Sequence, residues 1–173
     1  STITGNLTLN SNGDVTQTAG ISVSGSTTIT AGANDVTLDT ATNDFVGSIN
    51  IVSADAVTLD DANTLPLGTI TATSLAFGTA NTAYSLNGNI TLTNNPLTFD
   101  AAVTMLGNSV LATGSGNVSF QKTVDGGFAL TVNSSGTTDF DMAIGGGTAL
   151  SALTVDANGT ANFDGTIKTT GNI

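Results

Sequence analysis

The feature that most constrains this chain is a repeat of about 20 residues, which is clearest between residues 118 and 167. Each unit holds a phenylalanine followed four residues later by an aliphatic residue, and the phenylalanines are 20 and 23 residues apart: Phe120 and Val124, Phe140 and Ile144, Phe163 and Ile167. Short apolar-polar-apolar triplets such as 130–132 (Leu-Thr-Val) alternate with Gly, Asn, Asp and Ser, without helical periodicity. Such a period is typical of a solenoid, in which one repeat forms one coil.

The same pattern runs through the whole chain as three columns of triplets. The first column is 7–9, 27–29, 49–51, 70–72, 90–92, 110–112, 130–132 and 153–155, and Ile173 begins a ninth member. The second column is 15–17, 36–38, 57–59, 75–77, 97–99, 118–120, 138–140 and 161–163. The third, looser column is 21–23, 45–46, 65–67, 84–86 and 103–105, followed by Val124, Ile144 and Ile167.

These columns predict an all-β protein, a right-handed parallel β-helix (β-solenoid) of about eight coils of 20–23 residues, with three short strands per coil. No stretch resembles a linker, so residues 1–173 are expected to form a single continuous β-solenoid segment of a longer rod. At roughly 4.8 Å per coil, eight coils would give a rod of roughly 35 to 40 Å.

Alternation of side chains places the outer members of each triplet inside and the middle member outside. The second column then predicts one ladder of superposed core side chains: Leu38, Leu59, Phe77, Phe99, Phe120, Phe140 and Phe163. Gln17, Thr138 and Ala161 occupy inward positions and are expected to be weak points of the core. Asn50 and Leu111 are expected to face outward.

Glycine and asparagine cluster between the first and second columns, where sharp corners that need positive φ are expected. They are Asn12-Gly13, Asn34, Asn94-Asn95, Gly114, Gly116, Ser135-Gly136 and Asn158-Gly159. Pro66 and Pro96 lie at or beside strands, where the missing N–H interrupts a ladder. The coil is therefore expected to deform in the third column around residues 60–68.

The composition excludes several classes of function. Thirteen acidic residues against two bases, Lys122 and Lys168, give a net charge of −11, so the basic surface needed for nucleic acid or anionic lipid is missing. No apolar stretch reaches the length of a membrane span. Without Cys there is no disulfide framework, and without His or Cys no Ser-His-Asp or Cys-His arrangement.

Catalysis has little support in the sequence, which predicts that the protein is not an enzyme. A β-helix polysaccharide lyase would have only Lys122 and Lys168 as basic residues to abstract a proton. Stacked aspartates meet the separation of glycosidase carboxylates, but any acidic ladder does so. With no Trp and one Tyr, Tyr84, an aromatic platform for a sugar ring is lacking. A carbohydrate-active β-helix enzyme remains an alternative.

An acidic column follows directly after the second-column strands and is interrupted at Gly78 and Gln121. Its members are Asp39, Asp60, Asp100, Asp141 and Asp164. Carboxylates stacked at the coil spacing repel one another, and calcium, which takes six to eight oxygen ligands, would suit such a rail. The alternative is that each Asp accepts hydrogen bonds from its own corner. No other cofactor is expected.

Threonine forms a second outward ladder and raises the alternative of an ice-binding β-solenoid. The first column contributes Thr8, Thr28, Thr71, Thr91, Thr131 and Thr154, and the second contributes Thr16, Thr37, Thr58 and Thr98. The expected breaks at Asn50 and Leu111 speak against a flat array. Threonine is also a favourable exposed strand residue.

Four segments resemble the repeats of filamentous-haemagglutinin-type bacterial adhesins: 5–9 (Gly-Asn-Leu-Thr-Leu), 88–92 (Gly-Asn-Ile-Thr-Leu), 116–120 (Gly-Asn-Val-Ser-Phe) and 149–155 (Ala-Leu-Ser-Ala-Leu-Thr-Val). These adhesins are secreted by two-partner and autotransporter systems. The resemblance implies an extracellular or cell-surface rod: an adhesin stalk, surface fibre or biofilm-matrix filament that contacts a host or cell-surface glycan or protein. The resemblance also implies lateral packing of rods into a fibre. Open sheet edges at the ends of a solenoid independently favour end-to-end continuation, by more of the same chain or by another copy.

Overall fold

The protein is an all-β solenoid of parallel, stacked strands that makes about eight coils. The computed structural model describes residues 1–155 and 158–173, in which there are twenty strands and no helix. In chain order the strands are β1 (Thr2–Ile3), β2 (Leu7–Asn10), β3 (Val15–Thr16), β4 (Ser22–Val23), β5 (Thr27–Thr30), β6 (Val36–Leu38), β7 (Asp44–Phe45), β8 (Ile49–Leu59), β9 (Thr64–Phe77), β10 (Ala83–Leu86), β11 (Ile90–Thr91), β12 (Leu97–Phe99), β13 (Ala102–Met105), β14 (Ser109–Gly114), β15 (Val118–Phe120), β16 (Val124–Asp125), β17 (Ala129–Ser134), β18 (Thr137–Phe140), β19 (Ala152–Val155) and β20 (Thr160–Phe163).

The strands stack into three faces that correspond to the three predicted columns. The first face contains β2, β5, β11, β14, β17 and β19, and the second contains β3, β6, β12, β15, β18 and β20. The third contains β1, β4, β7, β10, β13 and β16, and continues as single bridges from Val124 to Ile144 and from Ile144 to Ile167. The long strand β8 pairs on the first and second faces, and β9 runs through all three.

Aromatic rings fill the inner side of the second face, as the sequence predicts. Phe99, Phe120, Phe140 and Phe163 stack with ring centroids 5.0, 4.7 and 5.2 Å apart and interplanar angles of 10°, 3° and 6°. Leu59 pairs with Leu38 on one side and with Phe77 on the other, and this extends the ladder towards the first coil. Each coil thus covers the apolar face of its neighbour, which one coil could not bury alone.

The register on the first face differs from the prediction at two places. Leu111, expected to face outward, is fully buried: it lies between Ile90 and Val132, while Ser109 pairs with Leu130. A one-residue shift moves every side chain of a strand to the other face, and this shift buries the larger leucine in place of Val110. Further back, Ile70 pairs with Ile51 rather than with Ile49, because the register shifts twice between β8 and β9.

The coil is interrupted at two places, each next to a proline. On the third face β7 and β9 do not pair, so β1, β4 and β7 form a separate sheet, within the stretch where deformation was predicted. On the second face β12 begins a separate four-stranded sheet that is not paired with β9. Pro96 immediately precedes β12 and has no N–H to donate to a ladder.

Asparagine and aspartate side chains join successive coils at the corners. The Oδ1 atom of one coil accepts the backbone N–H of the next coil, at 2.8 to 3.1 Å: Asn6 from Ser26, Asp14 from Asp35, Asp35 from Ala56, Asn50 from Thr69, Asn89 from Val110, Asn94 from Ser115, Asn108 from Ala129 and Asn117 from Thr137. Of the corner residues expected to have positive φ, only Asn94 (54°) and Gly114 (60°) have it in the described structure. The asparagines therefore serve mainly as acceptors between coils.

Candidate functional site

The five predicted aspartates all lie in the turn from the second to the third face, which we call the acidic corner. Asp39, Asp60, Asp100, Asp141 and Asp164 each follow the last residue of a second-face strand. The backbone stacks them as expected, since the N–H groups of Asp60, Asp141 and Asp164 donate to the carbonyls of Leu38, Phe120 and Phe140. Their side chains differ: Asp60 is buried, and the other four are exposed.

The Asp60 carboxylate turns into the protein and binds backbone groups. Its Oδ1 accepts the N–H of Asp61 at 3.0 Å and that of Ala80, in the next coil, at 3.1 Å. Gly78 interrupts the acidic column because a Cβ there would collide with the Asp60 carboxylate. The Asp60 carboxylate therefore accepts hydrogen bonds near its corner and does not face solvent. This is the alternative to a carboxylate that is free to bind calcium.

Asn43 is a buried connector across the acidic corner of the first three coils. Its Oδ1 accepts from Gln17 Nε2 at 2.7 Å and from the N–H of Ile21 at 3.1 Å. Its Nδ2 donates to Gln17 Oε1 and to the carbonyls of Leu38 and Asp60, at 3.0, 3.0 and 3.1 Å. Gln17, expected to be a weak point, thus forms a reciprocal amide pair. A fully bonded buried polar network fixes the position of neighbouring coils.

Asp61 replaces backbone pairing where the third face is interrupted. Its side chain is fully buried and accepts the N–H of Phe45 through Oδ2 and that of Asn63 through Oδ1, both at 2.7 Å. Asp61 also donates its own N–H to Asn81 Oδ1 at 2.9 Å. Burial raises the pKa of the Asp61 carboxyl above 3.8, with smaller raising effects from the charges of Asp44 and Asp60, and the two backbone donors oppose this shift.

Tyr84 and Asp100 form a hydrogen bond close to the second interruption. Tyr84 lies on the third face with no exposed surface, and its ring packs 4.7 Å from Phe77 and 5.3 Å from Phe99. Its hydroxyl reaches the acidic corner and donates to Asp100 Oδ1 at 2.5 Å. Burial, together with this hydrogen bond and the adjacent negative charge, raises the pKa of Tyr84. The phenol therefore stays protonated and holds the exposed Asp100 carboxylate in place.

Two clefts meet at Asp100. The larger, about 400 Å³, runs along the acidic corner and is lined by Thr82, Asp100, Ala101, Ala102, Lys122, Thr123 and Met142. The smaller, about 300 Å³, occupies the interruption of the second face and is lined by Leu75, Ala76, Phe77, Pro96, Thr98 and Asp100. Both combine apolar walls with a few polar side chains, the composition typical of small-molecule sites.

The acidic corner does not form a multi-carboxylate metal centre in the described residues. No group of three or more His, Cys, Asp or Glu side chains lies close enough there to hold one ion. The side chains of Asp60 and Asp100 already accept hydrogen bonds from protein donors. Calcium binding along the five aspartates stays a prediction, and it would need ligands from water or from a partner.

The threonine ladders on the first face have the predicted lengths, but one of the two predicted breaks is formed by other residues. On the first face they consist of three stacked pairs, Thr8 with Thr28, Thr71 with Thr91, and Thr131 with Thr154. The breaks are at Asn50, opposite Thr28, at Ala112, opposite Thr91, and at Val110, opposite Thr131. Leu111, predicted as one of the breaks, lies inside. Ice binding stays an untested alternative.

Sequence reasoning did not single out Asn43, Asp61, Asn81 or the Tyr84–Asp100 pair. One available signal was the recurrence of Asn43, Asn63 and Asn81 at intervals of 20 and 18 residues, each just before a third-face strand. Another was Tyr84 itself, because a tyrosine on an inward position needs a partner for its hydroxyl. Neither signal identifies Asp100 as that partner.

The described part of the chain has no helix of the length and hydropathy that a membrane crossing requires. Comparison with known proteins gives one match: residues 1–52 match a family described as repeats of unknown function (DUF5649). No curated protein matches the chain significantly. No solved structure does so either. Together with the fold, the family match places this chain among β-solenoid repeat proteins.

Proposed function

We propose that this protein is a segment of an extracellular structural or adhesive rod, part of a bacterial surface fibre, adhesin stalk or biofilm-matrix filament, without catalytic activity. The observation that carries the proposal is the lengthwise continuity of the bonding. The core, the backbone ladders and the corner side chains all join one coil to the next. A structure of this kind gains stability with each added coil and suits a spacer or scaffold.

The last described coil supports extension in the same direction. Phe163, the outermost ring of the stack, is 37% exposed, whereas Phe120 and Phe140 are each 1% exposed. Its free side is an apolar surface bordered by the strand edge of β20, which pairs only with β18. Another coil, from the same chain or from a second copy, would cover both.

Localisation and shape can be tested together on cells that produce the protein. An antibody raised against residues 1–173 should label intact cells, and immunogold electron microscopy should place the label on thin filaments. Labelling that appears only after the cells are permeabilised would refute an extracellular rod. Labelling of intact cells without any filament would refute the fibre and leave only a surface location.

A further inference from the structure

We propose that the two clefts meeting at Asp100 form one binding site for a neutral, hydroxyl-rich ligand, a saccharide unit of a glycan. This inference rests on the adhesive part of the proposed function and names its ligand class, whereas the site itself is built by coils 4 to 7 and its binding can be measured whether or not the rod forms a fibre. These coils provide an opening in the wall, a fixed acceptor, a nearby donor and an apolar lining.

The opening exists because the second face is interrupted. Strand β12 pairs only with β15, so the segment of β9 that ends at Phe77 has no ladder partner on that side. Pro96 stands at this gap and lines the smaller cleft. The two clefts, about 400 and 300 Å³, have sizes typical of small-molecule sites, and Asp100 lines both.

Asp100 provides an acceptor whose position is set before a ligand arrives. The buried Tyr84 hydroxyl holds Oδ1, and an ionised carboxylate keeps further lone pairs for ligand donors. In the described structure, Asp100 is the exposed aspartate of the acidic corner whose carboxylate accepts a hydrogen bond from a buried tyrosine. Such preorganisation lowers the entropy cost of binding.

Lys122 provides the matching donor. It is one of two basic residues in the chain, and it lines the larger cleft together with Asp100 and the hydroxyl-bearing Thr82 and Thr123. Thr98 adds a hydroxyl in the smaller cleft. A ligand that fits must both donate and accept hydrogen bonds, which sugar hydroxyl groups do.

The charges and the apolar residues of the clefts further restrict the chemical class of the ligand. The lining residues carry one carboxylate and one ammonium group, Asp100 and Lys122, and the chain as a whole carries −11, which disfavours an anionic ligand. The apolar lining consists of half-buried Phe77 and buried Leu75 in the smaller cleft, and of half-buried Ala101 and exposed Met142 in the larger. The sequence has no Trp or second Tyr to form a platform, so the Phe77 ring and the neighbouring aliphatic side chains would pack against the C–H face of a sugar ring.

The test is a two-dimensional NMR titration of the 173-residue chain with maltose, cellobiose, lactose and chitobiose, at concentrations that reveal millimolar dissociation constants. At least one disaccharide should shift amide signals of residues 76–77, 98–102, 122–123 and 142 in a saturable manner. No saturable shift with any of the four, or shifts centred on the threonine ladders, would overturn the proposal.

Matched variants give the second arm of the test. Lys122→Ala and Asp100→Asn should each weaken binding roughly tenfold or more, since each removes a charge-assisted hydrogen bond. Lys168→Ala and Asp164→Asn make the same chemical changes elsewhere on the rod and should leave binding unchanged. Equal weakening by both members of a pair would overturn the site. Far-UV circular dichroism of all four variants checks that the solenoid is retained.

Discussion

Within residues 1–155 and 158–173, two buried threonine hydroxyls have no hydrogen-bond partner, and they mark places where single residues cost stability. They are Oγ1 of Thr27 and of Thr138, whose side chains are 0% and 1% exposed. Thr138 lies in an inward ladder between Val118 and Ala161 and was expected to be a weak point. An unsatisfied buried hydroxyl keeps its desolvation cost without the return of a hydrogen bond.

Replacing Thr138 with valine should therefore stabilise the protein. The change keeps the shape of the side chain and removes the unpaired hydroxyl, so we expect the free energy of unfolding to rise by about 1 kcal/mol. Urea unfolding followed by far-UV circular dichroism measures this. The control is Thr154→Val on the outer side of the first face, where about zero change is expected. A destabilised Thr138→Val would show that the hydroxyl has a partner in solution.

Asp61 makes stability depend on pH in a predictable direction. Its folded pKa lies above the ordinary value of 3.8, so between these two values the folded state binds more protons than the unfolded state. The stabilisation that the Asp61 carboxyl contributes to the folded state is therefore complete below pH 3.8 and is lost as the pH rises through the folded pKa. The free energy of unfolding should fall over that window.

Asp61→Asn should flatten this part of the pH profile, because asparagine does not titrate. Asp141→Asn removes the same charge from an exposed position and should keep the slope. Asp141→Asn is the control because the repulsion among the other aspartates weakens at low pH in both variants alike. A difference between the two slopes therefore reports on Asp61. Thermal unfolding from acidic to neutral pH gives the profiles, and equal slopes in the two variants would contradict the assignment.

At the scale of elements, the stacked rings of β12, β15, β18 and β20 hold the second half of the rod together. Phe120 stands in the middle of this stack, 5.0 Å from Phe99 and 4.7 Å from Phe140. Phe120→Ala would leave a cavity between two rings that the ladders keep at a fixed spacing. Core Phe→Ala changes cost about 3 to 5 kcal/mol, and little relaxation is expected here.

Phe163→Ala is the matched control, because Phe163 is partly exposed at the end of the same stack. It should cost clearly less than Phe120→Ala. Hydrogen exchange locates the effect: amides of β12, β15 and β18 should exchange faster in Phe120→Ala, while those of β2 and β5 stay protected. Equal costs of the two variants would mean that the stack is not a shared core.

For the whole molecule, net charge opposes the association that the open strand edges favour. A charge of −11 on a small rod repels other copies, and salt screens this repulsion, with a Debye length of about 8 Å at physiological ionic strength. Association of purified 173-residue chains should therefore increase with both salt and protein concentration. Analytical ultracentrifugation across a salt series measures it.

Phe163→Asp should reduce this association, because it places a charge on the end of the core. Val52→Asp adds the same charge on the side of the rod, where Val52 is 56% exposed, and should have a smaller effect. Equal effects of the two variants would indicate lateral rather than end-to-end contacts. A chain that stays monomeric at every salt and protein concentration would contradict self-association.

The sequence was enough to predict the repeat, the β-solenoid class, the three faces and the superposed phenylalanines. This was possible because each coil buries the same kind of side chain at the same position of the repeat. Residues one repeat apart in the sequence are therefore neighbours in adjacent coils. The position of the acidic corner followed for the same reason. Its aspartates were placed correctly along the backbone.

The registers and the partners at the irregular coils could be read from the structure alone. Leu111 faces inward opposite Ile90, and Ile70 pairs with Ile51 because the register of β8 and β9 shifts between Ile49 and Ile51. The hydrogen bond between Tyr84 and Asp100 joins side chains of neighbouring coils, and the smaller cleft lies where the ladder between β9 and β12 is missing. A periodic sequence pattern predicts the contacts that every coil has in common. The Tyr84–Asp100 pair and its clefts lie where neighbouring coils differ, and a periodic pattern does not predict such differences.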